Sequence, residues 1–158
     1  MNIYIFSKPV HSGKTTELRQ WCNRHKNVTG ILMPDMNGKR MFLNIRTKEI
    51  FAAACEDANI TTEPLVPIGR FHFYASAFLK ANTMLIDESM HGPEWMVIDE
   101  VGRLEIGKMG FYPAVKAIII DASVKNIVLV VRDSLCEPVI SFFEIKDHHL
   151  IHTMDDLK

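Results

Sequence analysis

The chain has 158 residues, a net charge of −1, 47% hydrophobic and 23% charged residues, the profile of one ordinary folded domain. The near-neutral charge excludes a global basic field for nucleic acid, so any bound anion must be held locally. The longest apolar runs, such as 117–120 and 127–131, fall well short of a membrane span, and three scattered cysteines, Cys22, Cys55 and Cys136, predict buried free thiols in a reducing, cytoplasmic setting.

In chain order, a short apolar strand over 3–6 runs into SKPVHSGKTT, and residues 14–25 carry a helical apolar pattern. A second strand over 28–33 ends in PDMNGK, where Asn37 and Gly38 both tolerate positive φ and predict a hairpin. Antiparallel strands over 41–45 and 50–55 follow, with a further strand over 69–73. A helix over 74–89 stops at His91-Gly92-Pro93 and gives way to a buried strand over 95–99. A helix over 110–122 opens near Pro113, and a buried strand covers 127–131. A helix over 135–144 holds Pro138 in its first turn, where a missing amide proton is tolerated. A short strand over 148–152 closes the chain. Continuous apolar strands separated by helices imply an α/β fold with a mainly parallel sheet covered on both faces. The stretch 28–73 breaks that rhythm and reads as an antiparallel extension within one domain, 1–158.

Two motifs carry chemistry. Gly13-Lys14-Thr15 matches the core of the phosphate-binding loop GxxxxGK(S/T), directly after a strand and at the start of a helix. Gly13 lets the backbone approach phosphate, and the amides from His11 and Ser12 through Thr16 can point at it. Lys14 supplies a mobile cation for the outer phosphates, and Thr15 a hydroxyl ligand for Mg²⁺. Lys8 stands where such a loop begins with glycine. Lysine adopts positive φ only at a cost, which predicts a different or distorted turn into the loop, shaped by Pro9. The second motif is Val97-Ile98-Asp99-Glu100, an apolar strand ending in two carboxylates. It predicts Asp99 beside the metal held by Thr15 and Glu100 one position further out, orienting and deprotonating a water.

Together SGKTT and VIDEVGRLE, over 97–105, resemble the cancer-related nucleoside-triphosphatase family of small P-loop proteins. Thr29-Gly30-Ile31 is a loose match to the family's strand start, and the stretch NIVLVVRDS, over 126–134, is similar in order and spacing. The resemblance implies a RecA-like P-loop domain that hydrolyses nucleoside triphosphates slowly, with Mg²⁺ and little selectivity among bases. Carried over by position, Gly13, Lys14, Thr15 and Thr16 hold phosphate, Asp99 is the metal-side acid and Glu100 the catalytic acid.

Arg103 and Arg132 are candidates for stabilising transition-state charge, and Arg103 is preferred because it belongs to the motif that carries the acids. His148, His149 and His152 read as a solvated edge, with His148 and His152 on one face of a strand. Asp87 and Glu88 end a helix, where negative charge opposes the dipole. Two rival functions use the same loop. A small-molecule or nucleotide kinase needs an acceptor pocket and an Arg-rich lid, and the arginines here are dispersed. A non-catalytic nucleotide-binding module has no need of Glu100. Nucleic-acid and membrane partners are not expected, and the oligomeric state is left open.

Overall fold

A computed structural model describes residues 1–157; Lys158, the last residue of the expected domain, lies outside the described residues. Five strands form a parallel core: β1 (Asn2–Lys8), β2 (Val28–Leu32), and three later ones. Between β1 and β2 runs α1 (Lys14–Arg24). The excursion after β2 holds β3 (Asp35–Met36), β4 (Lys39–Asn44), β5 (Ile50–Ala52), β6 (Ala54–Cys55), β7 (Leu65–Ile68) and β8 (Phe71–Tyr74). Next come α2 (Ala75–Ser89), β9 (Trp95–Asp99), α3 (Arg103–Ile106), α4 (Tyr112–Asp121), β10 (Asn126–Arg132), α5 (Cys136–Phe142) and β11 (His149–Ile151). The main sheet has the order β11-β1-β10-β9-β2-β4-β3, with β5 on β4, and β6-β8-β7 form a small antiparallel sheet.

β11, β1, β10, β9 and β2 run parallel to one another, and β4 joins β2 antiparallel. β10 lies between β1 and β9, so the loop strand and the acid strand are one strand apart. That spacing opens a cleft beyond their carboxyl ends, where open α/β sheets bind ligands. Both faces are covered, as the continuous apolar runs require. One core packs Phe6, Leu18, Trp21, Val97 and Val128 under α1. The other packs Ile5, Ile98, Leu129, Phe78 and Phe111 under α2 and α4. Gly30 is required where β2 passes β9, since a Cβ there would lie 1.9 Å from the Val97 carbonyl oxygen.

The Asn37-Gly38 hairpin forms between β3 and β4, with φ of 56° and 78° at its two corner residues. The expected strand over 50–55 is two strands, β5 and β6, in different sheets, parted at the fully buried Ala53. β7 and the short α3 are additional elements. The helix expected over 110–122 is α4, which starts after a left-handed Gly110. The three cysteines are buried and free.

Candidate functional site

The phosphate loop leaves the sheet as an extension of β1. Lys8 is the last residue of that strand, paired in register with Arg132 of β10. No positive φ is demanded of it, so of the two expected alternatives the loop is entered by a different turn and not by a strained one. The left-handed residues come later, His11 at 60° and Gly13 at 78°. Lys8 serves instead as an anchor, its ammonium paired with Glu17 of α1. Glu17 also accepts from the Thr153 hydroxyl at 3.0 Å and the Met154 amide at 2.7 Å, fastening the C-terminal segment to the loop's flank. Burial raises the Glu17 carboxyl, but the Lys8 hydrogen bond and the Met154 amide outweigh it and leave the pKa lowered.

Gly13 caps α1 in left-handed backbone. The first intrahelical bond runs from the Glu17 amide to the Gly13 carbonyl, 3.1 Å. The amides of Lys14, Thr15 and Thr16 therefore have no intrahelical acceptor and form the positive end of the helix, a ready anion site. Ser12 donates its hydroxyl to the Pro9 carbonyl at 2.6 Å, closing the loop on itself, while His11 stays exposed. The buried Lys14 ammonium donates to the carbonyls of Lys8 and Pro9, both at 3.1 Å. Those are neutral acceptors, which an anionic phosphate displaces readily as a partner for a cation.

Across the cleft, the Thr15 hydroxyl donates to Asp99 Oδ2 at 2.9 Å, and the Met33 amide reaches the same oxygen at 3.2 Å. Asp99 is only 3% exposed. Burial pushes its carboxyl up to about 6, against the hydrogen bonds from Thr15 and Met33. Mg²⁺ takes oxygen ligands at about 2.0–2.1 Å in octahedral geometry, which sets adjacent ligand oxygens about 3 Å apart. The Thr15 and Asp99 oxygens stand at that separation, so the pair fits the ion. Among the described residues no group of three His, Cys, Asp or Glu side chains converges as a metal site, and a Mg²⁺ bound partly by water and substrate phosphate needs none.

Glu100 projects beyond the strand, half-buried, and accepts from Arg132 Nε at 2.7 Å. The sequence-preferred Arg103 opens α3 and lines the same cavity as Glu100 and Arg132; the arginine in contact with the acid is Arg132. The turn after Glu100 is held from below by Glu105, 2% exposed. Its two oxygens accept the amides of Gly102 at 2.7 Å and Phe111 at 2.8 Å. A Gly-x-x-Glu spacing is the readable signal, a variant of the capping box in which the third helical residue reaches back to the cap. Burial raises the Glu105 carboxyl, opposed by those two amides. VGRLE is thus a scaffold: Val101 and Glu105 are buried, and Gly102 and Arg103 face the cavity.

Glu88 is also buried, accepting from Thr29, Asn44 at 2.9 Å and Arg46 at 3.2 Å, so it ties α2 to β2 and β4. β11 covers only His149–Ile151, so His148 and His152 flank that strand and do not share one of its faces. His149 stacks on Tyr4 with ring centroids 5.0 Å apart, and His152 Nδ1 lies 2.8 Å from the Ser7 carbonyl.

The family described as NTPase matches residues 2–156. No curated protein matches the chain. Among solved structures, the crystal structure of THEP1 from the hyperthermophile Aquifex aeolicus is similar, with a TM-score of 0.70 at 19% identity over 99% of this chain and 92% of that one. The shared fold is that of a P-loop NTPase, with a mostly parallel sheet flanked by helices.

Proposed function

The chain belongs to the NTPase family, and we propose that it hydrolyses nucleoside 5′-triphosphates to diphosphate and phosphate with Mg²⁺. The observation that carries this reading is the Thr15–Asp99 contact at 2.9 Å, which joins the phosphate loop to the acid strand at one point. The amides from His11 to Thr16 receive the phosphates, Lys14 leaves its carbonyl partners for the outer oxygens, and Thr15 with Asp99 would hold Mg²⁺. The ion, when bound, neutralises charge on the phosphates. Glu100 takes a proton from a water aimed at the γ-phosphorus. The contact with Arg132 occupies one of its oxygens and sets a guanidinium beside the charge that develops in the transition state. These groups hold phosphate and metal only, so we expect little selectivity among ATP, GTP and other triphosphates. The setting we propose is cytoplasmic, and no described helix is long and apolar enough to cross a membrane.

The test is phosphate release from each common triphosphate with Mg²⁺ or with excess chelator. Release by the parent that stops on chelation and falls about a hundred-fold or more in Lys14→Ala is expected. Release by Lys14→Ala at the parent's rate would overturn the site.

A further inference from the structure

Four arginines far apart in sequence, Arg40, Arg70, Arg103 and Arg132, line one cavity of about 300 Å³, the lower end of small-molecule site volumes. Arg40 belongs to β4, Arg70 to the turn between β7 and β8, Arg103 to α3 and Arg132 to the end of β10. Two carboxylates share the wall, Glu100 and Glu105. Glu105 is already saturated by two amides, and Glu100 pairs with Arg132. Among the described residues, the ion pairs within 4.0 Å include none for Arg40, Arg70 or Arg103. Arg40 and Arg70 instead place their guanidiniums 5.0 Å from the ring centroid of Phe71. Stacking on an aromatic face fixes a guanidinium's plane and leaves its N–H fork available. A cavity with this excess of cations, floored by Phe71 and Phe73, selects a ligand with a phosphate and a flat or apolar body.

The cavity also contains Glu100 and Arg132 but none of the phosphate-loop residues. It therefore adjoins the proposed triphosphate site from the far side of the acid. We propose that it binds a second substrate, a phosphomonoester with a free hydroxyl, and that the hydroxyl accepts the γ-phosphoryl group in place of water. Arg40 and Arg70, both set over the Phe71 ring, hold the monoester. The hydroxyl oxygen forms a bond to the γ-phosphorus, its proton passes to Glu100, and the bridging bond to the β-phosphate breaks with its electron pair leaving on the diphosphate. The inference rests on the triphosphate site described above for its donor. It gives Glu100 either of two nucleophiles, according to whether the cavity is filled.

The experiment incubates the full chain with γ-labelled ATP and Mg²⁺, alone and with AMP, GMP, CMP or UMP as the probe, and separates labelled inorganic phosphate from labelled organic product. Calorimetry in parallel measures binding of the same monophosphates. We expect label esterified to a ribose hydroxyl of at least one probe, and a ten-fold or greater loss of that probe's affinity in Arg40→Gln and Arg70→Gln. Label found instead on the probe's own phosphate, as a nucleoside diphosphate, overturns the hydroxyl acceptor. In Lys14→Ala, probe affinity should change less than two-fold. Label released only as inorganic phosphate with all four probes overturns the acceptor site and leaves hydrolysis standing. Label that stays on ATP under every condition defeats both readings. Probe binding abolished by Lys14→Ala but untouched by the arginine variants places the monophosphate in the phosphate loop and overturns the second site.

Discussion

The two halves of the site are built in opposite ways. In the phosphate loop, Pro9, Val10, His11, Ser12 and Gly13 are all exposed. Its working parts are backbone amides and one lysine resting on two carbonyls. In the acid turn, Asp99, Val101, Gly102 and Glu105 are buried. The difference follows from what each half holds. A loop that wraps phosphate with amides must be open to solvent and complete its hydrogen bonds with the ligand. A pair of carboxylates that must address a metal and a water needs fixed directions, which burial and amide clamps supply.

This contrast can be broken in stages. The largest effect is expected for Asp99→Asn. Phosphate release should fall about a hundred-fold or more, as for loss of one electrostatic partner in a reaction centre. Stability should move the other way. The folded-state pKa of Asp99 is raised to about 6 from an ordinary 3.8, so ionising it above that range costs stability, and an amide removes the cost. The nucleotide-free variant should therefore melt a few degrees higher than the parent at pH 8 in a calorimeter. A lower melting temperature there would show that the carboxylate is part of the scaffold.

Glu105→Ala tests the clamp. Two buried amides, of Gly102 and Phe111, lose their acceptors, at a cost of about 2–3 kcal/mol, readable as a shifted urea midpoint. Turnover should drop while triphosphate affinity, a property of the loop, stays within two-fold. Equal losses in both would mean that the halves are not independent. The smallest effect is expected for Lys8→Ala. The Lys8 and Glu17 side chains are each about a quarter exposed and so still screened by solvent, and loss of the pair should cost under about 1 kcal/mol at pH 7. The lowered Glu17 pKa places that contribution above the ordinary value of 4.5, to be lost as pH falls through the depressed one. Urea titrations at pH 7 and pH 3 should show the gap between parent and variant closing.

Much of this was legible in the residues themselves. β1, β9 and β10 are continuous apolar runs, and α1 follows a strand through Gly-Lys-Thr, so the parallel core and the pairing of Thr15 with Asp99 could be expected. Lys8 could not be placed from local rules, because its extended conformation comes from pairing with Arg132, a partner distant in sequence. The same holds for the arginines. Arg40, on β4 of the main sheet, and Arg70, in the β7–β8 turn of the small sheet, carry no local signal, and they share one cavity with Arg103 and Arg132 only in the folded chain. Dispersion in sequence was therefore a poor guide to dispersion in space. Glu88 is a second case: its place at a helix end, where negative charge opposes the dipole, gives no sign that Thr29, Asn44 and Arg46 bury and satisfy it.

The central claim is that Glu100 acts on the nucleophile and not on the grip. It is tested by measuring triphosphate affinity and single-turnover phosphate release in Glu100→Gln beside the parent. Affinity within two-fold of the parent, with release slower by about a hundred-fold or more, is the predicted result. Release at the parent's rate would contradict it.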